Sequence, residues 1–529
     1  MSNRASESNT IEGTFMTHDI AELRSLTLND LPDIIKQTEL GVEALEAKEA
    51  ELEGAWIEAR RQRLQMRSTL NSYRNYATFI FRLPNELLVL VFERCVDTYT
   101  GHTLSKHAIP WVLAQTCRRW RHVVLRTPSL WNPIRIDTRR LPQSPIQMMK
   151  SWLERSQTVL LSCTALIDAP PSEADVEEQI FQQVLAHSHR WGHLAIELRA
   201  RCDLYYRFAS AKHLFFSNLR SLHIFVEAPP SYTIAPPVLN LSAPSLSNLE
   251  ISFVTSKKFL EIINALTVLE NCHLSISSGF ILDVQMVAFS PSLRYLEVLG
   301  PLSNMINLLY YISTPSLLRL FLSPPDCSTI PSVAAHRLLQ SVVSFQTRSQ
   351  CRLRRLRVPI TFFTSNTSPR NFDCLSSVQE LHVCLEAHNS HQCFIQNLRN
   401  IDVLPHLKEM HVLVLYDRVE ETFRFFLSQF LDMVELRRRS AKSRSSRQSS
   451  VMLESIEIDM IRKYGRPKVS ISINYTISAR LARLQREGLT LLGGVRDGKL
   501  HPFHSSLNYW DIEKHEKRWS QGLGGVISW

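Results

Sequence analysis

Glycine is scarce in this chain: 15 residues against 25 prolines in 529. No stretch gathers it into a phosphate-cradling loop. The patterns G-x-x-x-x-G-K-[ST], G-x-S-x-G and H-E-x-x-H are all absent, which removes the common nucleotide, serine-hydrolase and metallopeptidase chemistries. None of the ten cysteines stands in a C-x-x-C pair, so the paired, pre-positioned ligands of a structural zinc site are missing. Scattered single cysteines read instead as buried, reduced thiols of an intracellular protein. No run of about 18 apolar residues occurs, so no segment should span a membrane. The polar start Met1–Asn9 lacks the apolar core of a signal peptide. These absences predict a protein without catalytic residues, metal or cofactor, acting in the cytoplasm or nucleus with no membrane partner.

A chain of this length needs two to four folded units. Its net charge of +10 is modest for the length, and nucleic acid is not expected as the main partner. Residues 1–32 are read as a disordered, polar tail. From 33 to 76 the chain has no proline and is rich in Glu, Ala, Leu, Arg and Gln, the composition of a strong helix. Apolar residues recur at sevens: Leu45, Leu52, Ala59, Met66 and Tyr73 in one row, Val42, Trp56 and Leu70 in the other, with Glu49 and Arg63 interrupting it. This heptad pattern predicts either a coiled coil or one long amphipathic helix folded onto the next domain. Glu dominates 43–53 and Arg 60–67, so antiparallel self-pairing through residues 40–75 would match acid with base.

The most specific stretch follows. Leu83-Pro84-Asn85-Glu86-Leu87-Leu88 leads through Val91-Phe92 to Leu113-Ala114-Gln115-Thr116-Cys117-Arg118-Arg119-Trp120-Arg121 and ends at Thr127-Pro128-Ser129-Leu130-Trp131. The spacing predicts one helix after Pro84, a polar loop over 97–109 and a second helix over about 111–126. In order and spacing the stretch resembles an F-box of the fungal type, bounded at 77–135. Its connector is longer than the family's usual one, and the motif does not stand at the terminus. The resemblance implies docking onto a Skp-type adaptor and, through it, a cullin. Leu83, Pro84, Leu87, Leu88, Val91 and Phe92 would supply the contact, with Trp120 and Trp131 holding the helices or adding to it.

Beyond Trp131 the template apolar-x-x-apolar-x-apolar recurs ten times, from Trp191/Leu194/Ile196 through Leu293/Leu296/Val298 to Leu453/Ile456/Ile458. Successive steps from Leu222 to Leu320 are 27, 23, 24 and 24 residues. That period is similar to leucine-rich repeats, in which each short strand buries its apolar side chains only by stacking on its neighbours. The Asn or Cys that such repeats place after the strand is missing. The expected architecture is therefore an α+β multidomain chain: a long N-terminal helix or coiled coil, a small helical F-box, then an irregular leucine-rich-repeat α/β solenoid over 136–470. Within it, 436–450 reads as a basic disordered loop, and 471–529 as an unassigned C-terminal cap.

Strand residues between the core leucines are expected to face outward and meet a target. They include His223 and Phe225, Glu250 and Ser252, Arg294, Tyr295 and Glu297, Arg319 and Phe321, and His382 and Cys384. The densest charge is Arg352, Arg354, Arg355 and Arg357, which could meet an acidic or phosphorylated protein. The implied function is target recognition for a Skp–cullin–F-box type ubiquitin ligase. The alternatives are an interaction scaffold outside any ligase, and a nucleic-acid binder acting through Arg437–Arg447.

Overall fold

The computed structural model describes residues 31–496, except 100, 142–143, 169–173, 200–215, 228–241, 253–255, 277–286, 325–330, 364–368, 387–390, 417–419, 445–450 and 463–474. The expected tail up to residue 30 and the tryptophans at 510, 519 and 529 lie outside the described residues. The chain divides into two compact units, Met1–Leu90 and Val91–Trp529.

In the first unit, α1 runs unbroken from Leu31 to Ala77. Gly54, in its middle, has no atom within 4 Å of where a side chain would begin. Glu58 accepts from Arg61 at 2.8 Å and from Gln62 at 3.0 Å, spacings that a helix surface brings together. Every described side chain of α1 is exposed. A short α2 follows (Phe79–Arg82), and Leu83 stands extended at φ −61°, ψ 137°, as a residue before proline prefers. Helix α3 covers Asn85–Thr98, and the division between the units falls within it.

The second unit corrects the expected helix over 111–126: it is two helices, α4 (Ile109–Thr116) and α5 (Arg118–Arg126). Cys117 breaks them apart by adopting φ −156°, ψ 169°, and its sulfur accepts the Trp120 backbone N–H at 3.4 Å as a helix cap. Arg121 Nε donates to the Ala114 carbonyl at 2.8 Å, satisfying an end of α4 that has no further turn to bond it. The expected polar loop over 97–109 is also partly corrected, because Thr103, Leu104 and Ala108 are buried. Thr103 bonds the Arg135 backbone in both directions, at 2.7 and 2.6 Å, so the loop is fastened to the first strand.

Thirteen strands then form one open parallel sheet in strict chain order. They are β1 Pro133–Asp137, β2 Leu161–Ile167, β3 Trp191–Arg199, β4 Ser221–Glu227, β5 Asn248–Ser252, β6 Asn271–Ser275 and β7 Tyr295–Leu299. After them come β8 Arg319–Ser323, β9 Arg355–Pro359, β10 Glu380–Glu386, β11 Glu409–Tyr416, β12 Ser455–Arg462 and β13 Thr490–Arg496. Among the described residues each strand of this sheet pairs with the strands before and after it, and helices such as Leu302–Tyr311, Ser332–Ser349 and Glu420–Arg444 carry the chain back. A two-residue parallel pair, Ala288–Phe289 with Ile312–Ser313, lies apart from it.

The register explains why the template repeats. Its second position forms one continuous row, Leu194–Leu222–Leu249–Cys272–Leu296–Leu320–Leu356–Leu381–Met410–Ile456, and every member is buried. The first position, from Trp191 to Leu453, is buried in all ten copies. The template has an eleventh copy that sequence reading passed over, Trp131/Ile134/Ile136 on β1, all buried. Trp131 and Trp191 even make the same bond, each indole N–H reaching the carbonyl seven residues back, at 2.9 and 2.7 Å. At successive strand entrances two N–H groups share one carbonyl of the preceding unit, as Arg294 and Tyr295 share that of Glu270.

The expected loop 436–450 is corrected over its first part, since helix Glu420–Arg444 continues through it. Arg437 and Arg438, which fall within that expected loop, are both buried. Arg437 donates to the carbonyls of Leu398, Val403 and Leu404 at 2.9, 3.0 and 2.7 Å. Burial brings its guanidinium down to about 10. Arg348 does the same for the Ile312 carbonyl at 2.7 Å and for that of Leu309. These arginines satisfy chain ends that the sheet and helices leave unbonded. The strand Thr490–Arg496 extends the sheet past the expected boundary at 470.

Candidate functional site

Two surfaces carry the residues singled out from the sequence. The first is the helical segment. On α3, Leu88, Phe92 and Val96 recur at fours and are buried, Leu88 at 0% and Phe92 at 1% exposure. Leu87, Leu90 and Val91 stay uncovered, at 46%, 57% and 40%. Pro84 is exposed and Leu83 half-buried. Phe92 meets Trp120 edge-on at 4.9 Å, and Ser129 donates to Glu93 at 2.8 Å, tying the end of the segment to α3.

Among the expected contact residues, Leu88, Phe92 and Trp131 are buried. Trp131 sits wholly inside a cluster with Trp111 and Trp152, at 5.0 and 4.9 Å, and Arg155 lies 4.2 Å over Trp111 and 4.7 Å over Trp131. A small helical pair has little interior, so the largest rings go into it first. Leu83, Pro84, Leu87 and Val91 keep some or all of their surface, and half-buried Trp120 keeps part.

The second surface is a cross-strand row on the sheet, one residue beyond the core row just described. It runs His223–Glu250–His273–Glu297–Phe321–Arg357–His382–His411–Glu457. Parallel pairing in constant register places each side chain beside the same position of the next strand. His223 donates to Glu250 at 2.7 Å, and His273 to Glu297 at 2.8 Å. Glu297 also accepts from Tyr295 at 2.6 Å and pairs with Arg357 at 3.4 Å, while Arg357 lies 4.4 Å over the Phe321 ring. His382 stacks on His411 with centroids 4.2 Å apart and planes 2° from parallel.

Glu380, His382 and His411 bring three possible ligand atoms within 4.8 Å of one another, the arrangement among the described residues that could hold a metal ion. Each is already engaged by protein. Glu380 accepts from His382 at 2.6 Å and from Arg355 at 2.5 Å, and His411 Nδ1 donates to Glu457 at 2.5 Å.

The electrostatics follow from these pairs. Burial works to raise the Glu297 carboxyl, but the His273 hydrogen bond, the Arg357 charge and the Tyr295 hydroxyl prevail and hold it at about 2. Burial takes His382 down to about 4, against the pull of its bond to Glu380. For His411 the same burial is outweighed by Glu457 and its neighbouring carboxylates, so its imidazole is raised. The two stacked rings thus shift in opposite directions, because burial prevails at His382 while Glu457 and the neighbouring carboxylates prevail at His411.

The four expected arginines do not form one open cluster. Arg352 and Arg354 are exposed at the entrance to β9, whereas Arg355 and Arg357 are ion-paired within the sheet. His273, Glu380, His411 and Glu457 were not among the sequence candidates. All but Glu380 are the residue between the last two apolar positions of the template, a signal present in the sequence but read unit by unit. The thiols of Cys163 and Cys272 are pushed up to about 12 by burial, and those of Cys351 and Cys374 to about 11. None of these four is a ready nucleophile at neutral pH. Among the described residues no helix is long and apolar enough to cross a membrane. No protein-family model and no curated protein matches this chain.

Proposed function

We propose that this chain is the substrate-recognition subunit of a Skp–cullin–F-box type ubiquitin ligase and performs no catalysis itself. The observation that carries the reading is the divided face of α3. It is entered through extended Leu83 and exposed Pro84, turns Leu88, Phe92 and Val96 inward, and leaves Leu87, Leu90 and Val91 uncovered. Apolar residues at i, i+3 and i+4 on an exposed helix are the ordinary means of seating a helix in a partner's groove. The adaptor contact is therefore assigned to Leu83 and Pro84 and to the uncovered Leu87, Leu90 and Val91 of α3, whose Leu88 and Phe92 are buried.

The parallel sheet is read as an irregular leucine-rich-repeat solenoid, supported by the chain-order pairing and the buried template rows. Its outward row is the target-binding face. A row whose histidines, carboxylates and arginine are already paired, with Phe321 among them, favours a protein surface over a bare polyanion. A nucleic-acid function through Arg437–Arg447 loses its support, because Arg437 and Arg438 are spent on backbone carbonyls.

The test is co-purification of the full chain with a Skp-type adaptor. Capture is expected for the parent chain. It should be lost on joint Leu83→Ala and Pro84→Ala substitution, and on joint Leu87→Arg and Val91→Arg substitution. Capture that survives both pairs would remove the assignment. No capture of the parent would favour the scaffold reading.

A further inference from the structure

Helix α1 has 47 residues, a length of about 70 Å, and each of its described side chains is exposed. Leu45 stands 70% open and Met66 76%. Helices of this kind draw most of their stability from packing an apolar stripe, and the heptad rows provide one. The open question is what covers it, and the two residues that interrupt the rows give the answer.

Glu49 and Arg63 lie on the same row, seven residues either side of Trp56. Neither has an ion-pair partner among the described residues, although Glu58 and Arg61 on the same helix find each other at 2.8 Å. In a parallel, in-register pair of helices Glu49 would face its own copy and Arg63 its own copy, two like-charge contacts in the seam. In an antiparallel pair centred near Trp56, Glu49 lies beside Arg63 of the second copy, and the reverse contact forms by symmetry. The same arrangement lays the Glu-rich 43–53 stretch along the Arg-rich 60–67 stretch. One two-fold axis therefore compensates both interruptions at once.

We propose that α1 is a dimerisation element that pairs antiparallel with α1 of a second copy, with Glu49 and Arg63 setting the orientation. The inference is independent of the ligase assignment.

The experiment is light scattering on the full chain at micromolar concentration. The expected mass is twice 60.9 kDa. Glu49→Arg alone and Arg63→Glu alone should each weaken association about tenfold or more, and the double swap should restore it. Recovery of association in the double swap, which leaves the same residue types on the helix, separates lost pairing from lost folding. In a mixture of Glu49→Cys chains and Arg63→Cys chains, mild oxidation should join position 49 to position 63, read by mass spectrometry of the linked peptides. A 60.9 kDa particle, a double swap that stays dissociated, or a 49-to-49 linkage would each overturn the proposal.

Discussion

The long helix and the sheet carry equally regular apolar patterns and treat them in opposite ways. In α1 the residues at sevens stand in solvent, while in the sheet the residues at about twenty-four sit at essentially zero exposure. A strand repeat brings its own cover, because the next unit of the same chain packs on it. A heptad stripe on a lone helix has no such neighbour in sequence and must find a second surface. Periodicity thus reports that burial is wanted, and the period indicates whether the chain itself can supply it.

The strongest way to break this comparison is to cut the same leucine from both regions. Leu320→Ala, in the fully buried row, should cost about 3–4 kcal/mol in urea unfolding. Leu52→Ala on α1 should change unfolding of the sheet by no more than about 0.5 kcal/mol, while weakening self-association. Comparable losses from the two would sink the distinction.

Next in size is Arg437→Ala. It orphans the carbonyls of Leu398, Val403 and Leu404 and should cost about 3 kcal/mol, whereas exposed Arg439→Ala should be near neutral. Equal effects would mean that the buried guanidinium carries none of this load.

Glu297 sharpens the electrostatic side. Its carboxyl lies below its ordinary value of 4.5, at about 2, so the native state favours the ionised form. That contribution is complete above about pH 4.5 and is lost as pH falls toward 2. It amounts to roughly 3 kcal/mol. Glu297→Gln should lower stability at pH 7 by roughly 2–3 kcal/mol and flatten the acid limb between those values. An unchanged limb would show that the His273–Glu297–Arg357 group is not linked to folding.

The smallest effect on stability is expected at Leu87. Leu87→Arg should leave the melting temperature within about 1 °C and yet abolish adaptor capture. A large drop in melting temperature would mean that this side of α3 is core after all.

Much of the fold was legible because its signals are local or periodic. The long helix followed from composition, and the buried rows from a template that could be counted along the chain. The break at Cys117 was not legible, since the run 111–126 is apolar at helical spacing throughout and only an extended backbone at one residue divides it. The fate of Arg437 and Arg438 was hidden for a related reason. A basic, serine-rich run reads as solvated unless one knows which carbonyls are left unbonded nearby, and those lie 33–39 residues earlier in the chain for Arg437. At the candidate sites, the sequence placed a helix after Pro84 but could not tell its inward from its outward apolar residues. On the sheet it found His223, Glu250, Glu297, Arg357 and His382 as separate candidates. Only the register joined them into a row.

By itself the sequence determined where helix would form, that the repeated apolar positions would be buried together, and that no familiar catalytic motif was present. These follow from hydrophobic spacing and backbone preference, which act over a few residues at a time. The tertiary structure alone decided which histidine meets which carboxylate, which arginines leave the solvent, and which side of α3 stays open. Those outcomes depend on distances between residues far apart in the chain, and pairing energies of that kind exist only once the strands are in register.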